Sequence, residues 1–193
     1  LREGGGPHED TQPHEAWASV SSQIQRRGRD AYHSVECTQD GTRWELHASV
    51  LCLRGKELTP QPITSQDGHL HLAWNGHIFS SEHEDDSLLD MESNDGAIIM
   101  TRLEEHADLI PDVLVSTLSA VDGPYAFVLV DTRNACIYYG RDPLGRRSLL
   151  RTTTQGAWHL ASVSGAAWKA QWKEVACDAL WQVTWGQAPV RIP

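Results

Sequence analysis

A chain of 193 residues can bury one sizeable core but not comfortably two, so a single domain is expected. The 16 basic and 26 acidic residues give a formal charge of -10, which opposes phosphate backbones and anionic lipid; the basic clusters Arg26-Arg27-Gly28-Arg29 and Arg146-Arg147 are too short to reverse it. No apolar run approaches the roughly 18 residues of a membrane span, so neither nucleic acid nor membrane is expected as a partner.

Residues 1–12 hold Gly4-Gly5-Gly6-Pro7 and charge without periodicity, which reads as a flexible opening loop and not as a signal peptide. The chain starts at Leu1 inside that loop, as a piece of a longer protein would, and residues 13–193 are expected to form the domain. Pro13 suits the first turn of a helix that carries Trp17, Val20 and Ile24 on one face before Gly28 stops it. Trp44, Leu46, Ala48, Val50 and Cys52 then alternate with more polar neighbours, as do Leu70, Leu72 and Trp74, the period of half-buried strands. Pro60 and Pro62 mark the loop between them, and the acidic, Ser-rich residues 80–94 read as a solvated excursion.

Asn94 can cap a helix burying Ala97, Met100 and Leu103, and Pro111 opens another with Leu114, Leu118 and Val121. Their short connection makes them packing neighbours. After Gly123-Pro124 the pattern returns to strands, at 126–130 and 136–139, and a further hairpin runs from Leu149 through Gln155-Gly156 to Ala161. Strands on both sides of a central helical pair predict an α+β layered architecture.

Cys37, Cys52, Cys136 and Cys177 lie far apart, without metal-pair or disulfide-framework spacing, which fits a cytoplasmic protein. Cys52 and Cys136 fall in apolar strand-like runs and read as small buried hydrophobes. His69 and His71 share a strand face, but with His77 and His83 they lack further ligands at metal-binding spacing, so surface strand histidines and no metal are expected.

Three stretches carry more than periodicity: Arg26-Arg27-Gly28-Arg29-Asp30, then 72–79 around Trp74-Asn75-Gly76-His77, then 140–149 with Gly140-Arg141-Asp142-Pro143-Leu144-Gly145. Gln61-Pro62, Asn94-Asp95, residues 123–127 and Glu174-Val175 fall between and after them in consistent order. The set resembles the class II (Ntn-type) glutamine amidotransferase domain of the asparagine synthetase family. Arg146-Arg147-Ser148-Leu149 and Gln61-Pro62-Ile63 point toward the branch of asparagine synthetase domain-containing proteins. The resemblance implies a four-layer αββα sandwich of antiparallel sheets with outer helices. It also implies hydrolysis of glutamine to glutamate and ammonia, with a C-terminal synthetase domain as partner. That synthetase half, whose Ser-Gly-Gly-x-Asp-Ser loop does not occur here, would use ATP and magnesium; no cofactor is implied for this domain.

By the same resemblance, Asn75 and Gly76 are the oxyanion-hole pair, although Asn-Gly is also a favoured plain turn. Asp95 would hold the substrate ammonium while opening a helix, and His77 stands where the family has a Glu facing the same group. Arg27 and Gly28 would border the nucleophile, with Arg29 in place of the usual Pro. The family nucleophile is an N-terminal Cys on a first strand, which this sequence does not carry, so inactivity as given is expected. The family's carboxylate-clamping Arg maps to Val50, and Arg54 lies roughly 13 Å further along an extended chain. Arg141 and Asp142 are expected to form an internal salt bridge supporting the sheet. A non-catalytic pseudo-amidotransferase that serves domain docking is the alternative.

Overall fold

A computed structural model describes residues 13–39, 41–52, 58–81, 94–154, 157–164 and 172–192. In chain order the elements are α1 (Pro13–Arg27), β1 (Ala31–Gln39), β2 (Thr42–Val50), β3 (Ile63–Thr64), β4 (Leu70–Gly76) and β5 (Ser80–Ser81). There follow α2 (Asp95–Glu105), α3 (Ile110–Ala120), β6 (Val121–Asp122), β7 (Tyr125–Asp131) and β8 (Cys136–Arg141). The chain closes with β9 (Leu150–Thr154), β10 (Ala157–Ala161), β11 (Lys173–Glu174), β12 (Leu180–Thr184) and β13 (Val190–Ile192). The opening loop, Arg54, His83 and most of the acidic excursion lie outside the described residues.

Six strands in the order β13-β12-β8-β7-β4-β3 form one antiparallel sheet. Its strands alternate, but both faces are covered. Leu72, Trp74 and Leu129 point to the side where α2 and α3 bring Ile99, Leu103 and Leu114, all buried in one cluster. Fully burying each such side chain contributes roughly 1.5–3 kcal/mol. From the opposite face Ala126 and Tyr139 meet Leu149, Val175 and Val183 between the two sheets. β5 and β6 form a separate short pair beside this sheet.

The second sheet is divided. β1 and β2 pair along their whole length, turning at Gly41 with φ 76°, a conformation glycine adopts without strain. β9 pairs with β10 and β11. Among the described residues β2 bonds to no strand but β1, and β10 to none but β9. Above both pieces lies α1: Val20 is fully buried and clusters with Ala161, with Trp17, Ile24 and Trp172 packed around them. The layers are thus helix, divided sheet, continuous sheet, helix pair, the α+β sandwich expected.

Several local expectations need correction. Cys52 is exposed because β2 ends at Val50, so the alternation runs one step beyond the strand; Cys136 is buried as read. On α2 it is Ile99, and not Ala97, that joins Met100 and Leu103 inside. Val121 belongs to β6 and not to the second helix. β1, β12 and β13 are strands that periodicity did not reveal; β1 is mostly exposed and polar.

Candidate functional site

The divided sheet leaves a pocket of about 370 Å³ beneath α1. Its walls are β2 on one side and, on the other, residues 147–149 with the end of β10 at Leu160 and Ala161, and its floor is the inner face of β4 and β7. Parity explains the floor. With Leu70, Leu72 and Trp74 committed to the helices, Ala73 and Asn75 face the space between the sheets.

Of the expected site residues, Arg27, Asn75, Gly76, His77 and Asp95 all line this pocket. Gly28 does not, but it shapes the wall: a Cβ there would lie 2.5 Å from the Val50 nitrogen, so only glycine lets the end of α1 pass against β2. Asp30 then donates its N–H to the Val50 carbonyl at 3.0 Å and accepts from the Cys52 N–H at 2.7 Å. Arg27 Nη1 reaches across and donates to the Ser162 carbonyl at 3.1 Å.

Asn75 and Gly76 end β4 in register with Ala126 and Tyr125. A Cβ on Gly76 would meet the Pro124 carbonyl oxygen at 2.6 Å, so the residue type is set by close backbone approach. The next residue is held in the same way: the His77 N–H donates to Pro124 O at 2.9 Å, and a Cβ at Gly123 would lie 1.9 Å from His77 O. Gln61 Oε1 accepts the Trp74 N–H at 2.8 Å, fastening the loop ahead of β4.

Asp95 is the first residue of α2, where the helix dipole favours a negative charge. Asn94 caps that helix, its Oδ1 accepting from Gly96 N–H at 3.0 Å and Ala97 N–H at 3.3 Å. Asp95 Oδ2 accepts the Ile78 N–H at 3.1 Å and stands 3.6 Å from His77 Nδ1, an ion pair when the imidazole is protonated. Val50 lines the pocket with a buried, uncharged side chain, and Cys52 is the one cysteine on the wall among the described residues.

The sequence reading missed Arg147. It lines the pocket, and its Nε is buried without a hydrogen-bond partner. Next to Arg146 nothing in the sequence marks it out. The preceding corner holds the backbone at this point: Arg141 donates to the carbonyls of Gly145, Val175 and Arg147, the last at 2.6 Å. The expected Arg141–Asp142 salt bridge is absent. Arg141 sits 3.5 Å from Glu174 instead, while the fully buried Asp142 pairs with Arg146 Nε at 2.9 Å. Asp142 also accepts from the N–H groups of Tyr125, Leu144 and Arg146. Burial alone would push its carboxyl upward, but Arg146 and the backbone donors outweigh that and hold it below 3.8.

The strand histidines divide. His69 is exposed beside Thr132, whereas His71 is buried, bonded to Thr64 Oγ1 at 3.0 Å and packed on Trp44, so it is not the surface histidine expected. Burial, with a smaller contribution from His69, lowers its pKa below 6.5. Burial lowers His159 likewise. His159 and His47 flank Trp17, with ring centroids 6.2 and 5.3 Å away, so α1 bridges the two pieces of the divided sheet. No group of three or more His, Cys, Asp or Glu among the described residues is placed to hold a metal ion. No helix among them is long and apolar enough to cross a membrane.

Residues 47–168 match the family model described as a glutamine amidotransferase domain. Over 149 residues the chain is 32% identical to the asparagine synthetase domain-containing protein 1 of Gallus gallus, covering 75% of this chain and 20% of that protein. The Homo sapiens protein of the same description is also 32% identical, over 70% of this chain and 20% of its own length. The chain therefore spans about a fifth of these relatives. Among solved structures, the glutamine phosphoribosylpyrophosphate amidotransferase from B. subtilis superposes with a TM-score of 0.61 at 18% identity. The superposition covers 90% of this chain and 45% of that one, a likeness that bears on the fold alone.

Proposed function

The chain belongs to the glutamine amidotransferase domain family that its residues 47–168 match, and from that premise we propose that it is the glutamine-handling half of an asparagine synthetase-related protein. The observation that supports this reading is the convergence of Asn75, Gly76 and Asp95 on one pocket from β4 and α2. Attack by a thiolate on the glutamine side-chain carbonyl puts negative charge on its oxygen. The Asn75 amide and Gly76 N–H are the donors for that oxygen, and Asp95 is the carboxylate for the substrate ammonium. Ammonia leaves carrying the proton taken from the thiol, and water then releases glutamate.

Cys52 is the one cysteine on the described wall, but it lies within the chain, just past β2, so the N-terminal nucleophile of the family reaction is proposed to come from outside that wall. The open edges of β2 and β10 flank a pocket that one extended segment can fill, and a segment led by a cysteine would bring its thiol beside Asn75. The polypeptide as given is therefore inactive on its own, and the physiological acceptor of ammonia lies in a partner synthetase domain.

Glutamate release tests this, comparing the chain as given with a version in which a strand opening on a free cysteine precedes Leu1. The first should stay at the buffer blank. The second should turn over, and Asn75→Ala in it should remove about 3 kcal/mol of transition-state stabilisation, on the order of a hundredfold. Turnover by the chain as given, abolished by Asn75→Ala, would refute the need for an added nucleophile. Val50, His77 and Arg29 favour a second reading, a non-catalytic module kept for docking to a partner domain. Failure of the cysteine-led version to bind or hydrolyse glutamine would select it.

A further inference from the structure

The polar groups of the pocket wall are largely spoken for within the fold. Glu45 is held by Arg43 at 2.7 Å and His47 at 3.0 Å, and His47 by Tyr32 at 2.7 Å. Arg27 donates to the Ser162 carbonyl, as does Ser148 Oγ at 2.6 Å. Arg147 departs from this pattern. It is one of two guanidinium groups on the wall, and its Nε is shut off from water with no acceptor in reach. A buried donor without an acceptor costs more than its bond would return, and a charged one costs more still. The Trp44, Trp74 and Trp185 indole nitrogens are buried in the same way, so what singles out Arg147 is its charge together with its place on the pocket wall.

We propose that Arg147 is the carboxylate-binding residue of this pocket, standing in for the guanidinium that Val50 does not provide; the inference rests on the glutamine reading above. The guanidinium plane presents parallel N–H donors, which suit the two oxygens of a carboxylate better than one neutral carbonyl. The wall also offers the charge for the other end of an α-amino acid, since Asp95 lines the same pocket. The ligand is thereby read at both charged ends, by Asp95 from the start of α2 and by Arg147 from the segment between β8 and β9. Arg147 is well placed for this because the corner fixes its main chain: the Arg141 bond to the Arg147 carbonyl holds the backbone while leaving the side chain unbonded at Nε.

Calorimetry on the 193-residue chain with glutamine and with glutamine α-amide, in which a neutral carboxamide replaces the carboxylate, tests the assignment. The unaltered chain should prefer glutamine. Arg147→Gln should weaken glutamine on the order of tenfold to a hundredfold, leave the α-amide unchanged and so erase the preference. Arg147→Lys, which keeps the charge and loses the fork, should fall between them, and it serves if the Gln variant melts early. Glutamine binding that is indifferent to both variants overturns the inference and leaves the glutamine reading standing; it would assign the buried Nε to a backbone carbonyl of an entering strand. Equal weakening of glutamine and α-amide by both variants also overturns it, as a structural effect. If the unaltered chain binds neither ligand at millimolar concentration the assignment falls, while glutamine turnover by the cysteine-led version decides the glutamine reading separately.

Discussion

The two sheets of the sandwich use similar strands and reach opposite states. In the continuous sheet β4, β7 and β8 are each bonded on both sides, and its far corner leaves no charge idle: Asp142 takes four donors, and Arg141 spends its guanidinium on three carbonyls. In the divided sheet the facing edges of β2 and β10 stand open among the described residues, and a few residues past that corner Arg147 has a buried nitrogen with no partner. Arginines six positions apart thus differ because Arg141 is saturated inside the fold and Arg147 is not. Stability concentrates where polar groups are closed on one another, and recognition where they are left open.

The sharpest way to break this comparison is at the saturated corner. Asp142→Asn removes the charge that pairs with Arg146 and should cost about 3 kcal/mol or more, seen as a lower denaturant midpoint. Its pH signature follows from the lowered carboxyl: the stabilisation is complete above 3.8, the unfolded value, and is lost as pH falls through the still lower folded value. Asp142→Asn should flatten that acid limb, and an unchanged limb would mean other carboxylates carry it.

Truncations of equal chemistry on the two sheets sharpen the contrast. Leu129, fully buried in the continuous sheet, should cost about 3 kcal/mol when changed to Ala. Leu46, half-buried on the pocket wall, should cost about 1 kcal/mol, since there is less to lose at an open edge. Equal losses would show that the divided sheet is as closely packed as its partner. Hydrogen exchange gives a gentler reading of the same difference: amides of β4 and β7 should exchange only with global unfolding, and those on the open sides of β2 and β10 much sooner.

The smallest effect expected comes from the histidines. Burial lowers His71 and His159, so the unfolded chain binds more protons below 6.5 and stability should decline gently from there toward their folded values. His71→Gln and His159→Gln should each remove part of that decline. A decline left intact by both would place its origin elsewhere.

These differences also separate what was legible in the sequence from what was not. α1, β4 and the Asn94 cap follow from spacing and side-chain chemistry within a few residues, and so does the placing of Asn75 opposite the helices. β1 escaped because a mostly exposed strand shows no apolar period. Cys52 was misplaced because alternation does not say where a strand stops. The partners of Arg141 and Asp142 escaped for another reason: which of several adjacent charges meet depends on the turn at Gly145, with φ 62°, and on Glu174 and Val175 arriving from later in the chain. Arg147 belongs with these, since its state is defined by partners it lacks.

The anchoring of His77 has a consequence for how such a pocket can diversify. Its amide is tied to Pro124 and its carbonyl is pressed by Gly123, so the main chain at this position is held by neighbours that take no notice of the side chain. Position 77 therefore behaves as a socket. Imidazole, carboxylate or amide can be exchanged there facing Asp95 without shifting the Asn75-Gly76 turn that precedes it, so charge preference can drift over generations while that turn stays where it is.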